Sequence, residues 1–100
     1  MDKVLHDIER FGKGIGNSSR YRIVEALLRG RKTVGDLVKI VGSSQPAISQ
    51  HLKTLKASGL VINERRGKEV FYSVNAEHML RLLKNLSTRI ENRKKQKNGT

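Results

Sequence analysis

Residues 43–60 read Ser43-Ser44-Gln45-Pro46-Ala47-Ile48-Ser49-Gln50-His51-Leu52-Lys53-Thr54-Leu55-Lys56-Ala57-Ser58-Gly59-Leu60. Ile48, Leu52 and Leu55 recur at spacings of 4 and 3, the period of one face of a helix. Ser43 and Ser44 supply capping hydroxyls at its start, Pro46 sits in the first turn, where its missing N–H costs nothing, and Gly59 ends it. Just upstream, Thr33 is placed to cap a shorter helix, with Asp36 three residues on as a weakened capping box. Val34, Leu37, Ile40 and Val41 form the apolar stripe of that helix, and Gly42 closes it. Two short helices joined across a Gly-Ser-Ser turn form a helix-turn-helix over residues 33–58.

Downstream the period changes. Leu60 to Glu64 and Glu69 to Val74 are rich in β-branched and aromatic residues, which predicts two strands joined across Arg65-Arg66-Gly67-Lys68. The result is a wing over residues 60–74 with a cationic tip. From Ala76 the helical period returns: Met79, Leu83, Leu86 and Ile90 fall at spacings of 4, 3 and 4. Residues 93–100 are too polar to pack and read as a basic disordered tail. Upstream, Val4, Ile8 and Phe11 predict a helix over 2–11, loosened by the glycines of 12–16. Asn17-Ser18-Ser19 then caps a second helix whose stripe reads Tyr21, Val24, Leu27 and Leu28, stopped by Gly30.

The expected fold is therefore mainly α with a small β-hairpin, a winged helix-turn-helix in the order α-α-α-α-β-β-α. Residues 1–92 form a single domain, because 100 residues is the size of one ordinary domain.

The chain carries 21 Lys and Arg against 9 Asp and Glu, a net charge of +12, which points to a polyanion as partner. The absence of cysteine excludes disulfides and any thiolate metal site or nucleophile. No run approaches the 18 apolar residues of a membrane span, and the N-terminus lacks the pattern of a signal peptide, so no membrane partner is expected. No carboxylate pair and no Ser/His/Asp arrangement suggests an enzyme.

A helix-turn-helix lays its second helix in the major groove of double-stranded DNA, with N-terminal residues against base edges. With Ile48, Leu52 and Leu55 inward, Ser49, Gln50 and Lys53 point outward, and Gln45 projects from the N-terminal tip. Glutamine can donate to and accept from adenine together, and serine can do either. Gln45, Ser49 and Gln50 are thus the candidate base readers. Ser43, Ser44, Lys53 and Lys56 suit the backbone, and Arg65, Arg66 and Lys68 of the wing can straddle phosphates or enter a minor groove. Composition and charge leave two alternatives open: a basic RNA- or nucleoid-associated protein with little sequence preference, and a winged-helix adaptor for other proteins.

The run Ser44 to Lys53, with Leu55, Gly59-Leu60-Val61, Arg66-Gly67-Lys68 and Val70-Phe71-Tyr72-Ser73-Val74, resembles the ArsR/SmtB family of bacterial and archaeal repressors. The start of the second helix, Asn17 to Val24, is also similar, so the resemblance covers roughly residues 14 to 86. It implies a cytoplasmic homodimeric repressor released from an inverted-repeat operator by an inducer. In that family the first and last helices form the dimer interface. Here they correspond to residues 1–15 and 76–92, with Val4, Ile8, Phe11, Met79, Leu83, Leu86 and Ile90.

The chain departs from the family at the sensing sites. Where arsenic- and cadmium-sensing members have Cys-Val-Cys-Asp-Leu, this chain has Thr33-Val34-Gly35-Asp36-Leu37. Where zinc- and nickel-sensing members place Asp, His, His and Glu, it offers Ala76, His78, Arg89 and Asn92. One histidine does not make a zinc site, which needs three or four donors. The expectation is no metal, no cofactor and an unknown inducer.

Overall fold

The computed structural model describes residues 16–98. The helix expected over 2–11, with Val4, Ile8 and Phe11, lies outside them. Among the described residues the order is α1 (Ser18–Leu28), α2 (Val34–Val41), α3 (Gln45–Ala57), β1 (Val61–Arg66), β2 (Glu69–Val74) and α4 (Ala76–Asn98). This is the winged helix-turn-helix order.

Each helix begins where a side chain takes up an otherwise orphaned backbone donor. Asn17 Oδ1 accepts from the N–H groups of Ser19 at 2.9 Å and Arg20 at 3.2 Å and so starts α1. Thr33 and Asp36 close a complete capping box: Asp36 N–H donates to Thr33 Oγ1, and Thr33 N–H to Asp36 Oδ2, both at 3.1 Å. Ser44 Oγ accepts from Ala47 N–H at 3.3 Å to start α3. Asn75, which the sequence pattern does not mark, starts α4 by accepting from His78 N–H at 3.2 Å.

The core is wholly apolar among the described residues. Ile23, Val24, Ala26 and Leu27 of α1 meet Leu37 and Val41 of α2, Ile48, Leu52 and Leu55 of α3, then Leu60, Val61 and Leu82. The stripe expected on α1 is corrected: Tyr21 and Leu28 are exposed, and Ile23 and Ala26 take their places beside Val24 and Leu27. On α2, Ile40 is likewise exposed. The stripe of α3 is buried as expected.

The hairpin is longer than its sequence suggests. β1 begins at Val61 and runs through Arg65 and Arg66, which pair with Val70 and Glu69, leaving a loop of only Gly67 and Lys68. Gly67 has φ 62° while Lys68 keeps a negative φ, the pattern of a type II′ turn with glycine first. Lys32 adds a bridge to the other side of β2: its N–H donates to Tyr72 O at 3.0 Å, and Tyr72 N–H donates back at 2.8 Å. The loop before α2 is thereby tied to the wing, with the Arg31 guanidinium 4.6 Å from the centre of the Phe71 ring.

α4 does not stop at residue 92. It continues to Asn98, so residues 93–98 of the expected disordered tail are helix. Arg, Lys and Gln are good helix formers, and cations near a helix C-terminus complement its dipole. Past Leu82 the helix leaves the core, and the molecule measures 58 × 26 × 25 Å. Among the described residues no helix is long and apolar enough to cross a membrane.

Candidate nucleic-acid interface

Burial of Ile48, Leu52 and Leu55 fixes the rotation of α3 and so decides which side chains reach solvent. Gln45, Ser49, Gln50, Lys53 and Lys56 are all exposed, and α3 contains no acidic residue. The side chains of Gln45, Ser49 and Gln50 make no hydrogen bond among the described residues. Gln50 takes part only through its carbonyl, which accepts from the Thr54 hydroxyl at 3.2 Å. Their donors and acceptors are therefore available to an incoming ligand. His51 is half-buried beside this row.

Ser43 is half-buried and Ser44 exposed. Ser44 has a structural duty, since its oxygen holds Ala47 N–H; its hydroxyl proton remains able to donate to a phosphate. Pro46 has no N–H to offer, so the start of α3 presents fewer free donors than an ordinary helix N-terminus.

Arg65, Arg66 and Lys68 are all exposed, but they are not equivalent. Strand alternation puts Arg65 on the face of Val61 and Asn63, and Arg66 on the face of Ile62 and Glu64. Arg66 Nε lies 3.3 Å from Glu64 Oε1 and stands opposite Glu69. Arg65 Nε donates instead to Gly67 O at 3.3 Å, which braces the turn and leaves its charge without a carboxylate among the described residues.

α4 presents the expected interface residues unevenly. Met79 packs against the chain's own core, and Leu82 is the residue of α4 buried there. Leu83, Leu86 and Ile90 are 49%, 37% and 60% exposed, so their apolar faces lack a partner among the described residues. Val4, Ile8 and Phe11 lie outside the described residues.

Thr33 and His78, at two of the sensing positions of the family that the sequence resembles, have other work. Thr33 and Asp36 are committed to the capping box. Hydrogen bonding from the Thr33 backbone first, then from its side chain, with Lys32 and Lys39 nearby, holds the Asp36 carboxyl below its usual pKa despite a small opposing desolvation. The His78 imidazole rests against Gly59, its Nε2 3.2 Å from where a glycine-to-alanine methyl would stand. No three His, Asp or Glu side chains cluster among the described residues.

A helix-turn-helix with an exposed acid-free second helix and a cation-bearing ribbon defines a winged-helix protein of the DNA-binding regulator class. The sequence agrees: residues 17–63 match the family described as bacterial regulatory protein, arsR family. The chain is 36% identical over 77 residues to the nodulation protein NolR of Rhizobium meliloti, covering 77% of this chain and 63% of that protein. It is 31% identical over 88 residues to the biofilm growth-associated repressor of Xylella fastidiosa, covering 88% and 77%. Among solved structures it resembles a homodimeric winged helix-turn-helix domain from Mycobacterium bovis, a possible ArsR-family regulator. That match has a TM-score of 0.72 and 26% identity over 93% of this chain and 86% of that one. The chain belongs to the ArsR family of transcriptional regulators.

Proposed function

We propose that the protein is a homodimeric, sequence-specific repressor that binds an inverted-repeat operator in double-stranded DNA, with α3 in the major groove. The observation that carries this reading is the outer row of α3, where the side chains of Gln45, Ser49 and Gln50 are exposed and make no hydrogen bond among the described residues, beside Lys53. Gln45, Ser49 and Gln50 read bases; Ser43, Ser44, Lys53, Lys56, Arg65 and Lys68 position the backbone, and Arg66 contributes less because Glu64 compensates it. The exposed Leu83, Leu86 and Ile90 support a second copy against α4.

The signal is neither a transition metal nor a thiol oxidant. There is no cysteine, and the capping box engages Thr33 Oγ1 and Asp36 Oδ2. The repressor acts in the cytoplasm, where its operator lies.

Binding measured against a panel of duplexes tests the division of labour. Gln45→Ala costs about 1–3 kcal/mol on the preferred sequence and relaxes preference at one base step. Lys53→Gln weakens all duplexes alike and lowers the salt slope by about 2, one contact from each protomer. If neither substitution changes duplex affinity, α3 is not the reading helix.

A further inference from the structure

Leu82 is the residue of α4 buried in the core, and every described side chain from Leu83 to Gln96 is exposed. From Leu82 to Asn98 the helix rises about 24 Å at 1.5 Å per residue. Its two halves differ in chemistry. Through Ile90 one side is apolar, as a helix that docks on a second copy requires. Beyond Ile90 that side changes character: at about 100° per residue, Arg93 and Lys94 fall on either side of the line through Met79, Leu83, Leu86 and Ile90. An apolar seam cannot continue through them. Past Leu82 the exposed charges are Lys84, Arg89, Arg93, Lys94 and Lys95 against Glu91 alone. Arg93, Lys94 and Lys95 form no ion pair or hydrogen bond among the described residues. The helix dipole favours cations in the final turn, which accounts for Lys95 but not for Arg93 and Lys94.

We infer that α4 beyond Ile90 is a second polyanion-binding arm, and that its ligand is the phosphate backbone of duplex DNA outside the bases read by α3. The inference rests on the DNA-binding reading above. Three exposed cations that make no ion pair or hydrogen bond among the described residues are carried on a helix continuous with the core, a charge complementary to a phosphate backbone. A duplex offers one phosphate charge per about 1.7 Å of its axis. The segment from Leu83 onward contains no aromatic residue on which an unpaired base could stack, which favours a duplex backbone over single-stranded RNA.

The test uses the full chain, a 40-bp duplex of random sequence and a sodium chloride titration. The arm variant is Arg93→Gln/Lys94→Gln/Lys95→Gln, since glutamine has a helix propensity close to that of lysine and arginine. Circular dichroism checks that the helix is kept. The control Lys39→Gln/Arg81→Gln/Lys84→Gln removes the same charge elsewhere. The expected result is a salt slope shallower by about 5 for the arm variant, which removes six cations from a dimer at roughly 0.9 per phosphate, and by less than about 2 for the control. Equal effects of the two variants, or no effect of the arm variant, overturn the proposal. So does a larger loss by the arm variant on a 40-nucleotide single-stranded RNA than on the duplex. If Lys53→Gln weakens duplex binding while the arm variant matches wild type, the arm fails alone. If wild type shows no salt-dependent duplex binding, the DNA-binding reading fails as well.

Discussion

Arg66 and Glu64 lie two residues apart on one face of β1 and form an ion pair, with Nε 3.3 Å from Oε1. Arg65, between them in sequence, faces the other way and meets no carboxylate among the described residues. Exposed ion pairs contribute little to stability, but one spends a cation that a phosphate could otherwise use. Arg65→Gln is expected to lower duplex affinity several-fold and the salt slope by about 2 for the dimer, with Arg66→Gln giving about half that or less. Fluorescence anisotropy across a salt series checks the order. A larger effect of Arg66→Gln would mean that the opposite face of the ribbon meets DNA.

The capping box makes an acid-side prediction. The folded Asp36 carboxyl has a pKa below its ordinary 3.8, chiefly because it accepts from the Thr33 backbone N–H. Near and below pH 3.8 the unfolded state therefore binds more protons at this group than the folded state does. The stability Asp36 contributes is present above the ordinary value and is lost as pH falls through the depressed one. Asp36→Asn is expected to be less stable than wild type at neutral pH, with the gap closing in strong acid. Thr33→Ala costs about 1 kcal/mol at neutral pH. Urea unfolding at several pH values reads both; a gap independent of pH contradicts the assignment.

Two turn glycines separate backbone strain from crowding. Gly42 has φ 80° and Gly59 φ 79°, but a methyl at Gly42 meets nothing within 4 Å, whereas one at Gly59 stands 3.2 Å from His78 Nε2. Gly42→Ala is expected to cost about 1–2 kcal/mol from conformation alone. Gly59→Ala costs more, and adding His78→Ala brings its cost down toward that of Gly42→Ala. If the two single substitutions cost the same, the imidazole yields freely and is not a packing partner.

The exposed seam of α4 predicts a separation of assembly from folding. Leu83→Gln/Leu86→Gln is expected to give a folded monomer by sedimentation, with circular dichroism unchanged. Leu82→Ala, in the core, costs about 2–5 kcal/mol of stability. An unchanged oligomeric state in the double variant would remove α4 from the interface.

What could be read from sequence followed the physics of burial. Ile48, Leu52 and Leu55 are spaced as a buried helix face and are buried, and the caps at Asn17, Thr33 and Ser44 are local chemistry visible in a few residues. Patterning failed where burial does not discriminate. Tyr21 and Leu28 are apolar yet lie outside the strip of α1 that the other helices cover. Arg65 and Arg66 are both exposed, so no alternation marked them as strand; backbone pairing with Val70 and Glu69 decided it. The Lys32–Tyr72 bridge joins residues 40 apart in the chain and exists only once the core has formed. The end of α4 was hidden because a polar composition reads as tail, although its residues favour helix. For the interface, residue type and helical phase were enough to mark the row on α3, but the difference between Arg65 and Arg66 needed the register.

The central claim, that α3 of a two-fold dimer reads DNA, is tested most directly by selecting bound duplexes from a random pool at near-physiological salt. The account predicts a palindromic consensus whose half-sites are centred about one helical turn, roughly 10 bp, apart. Substituting Gln45 should then change the selected base at one symmetric pair of positions. Recovery of duplexes with no shared sequence, or of a single unrepeated half-site, would contradict it.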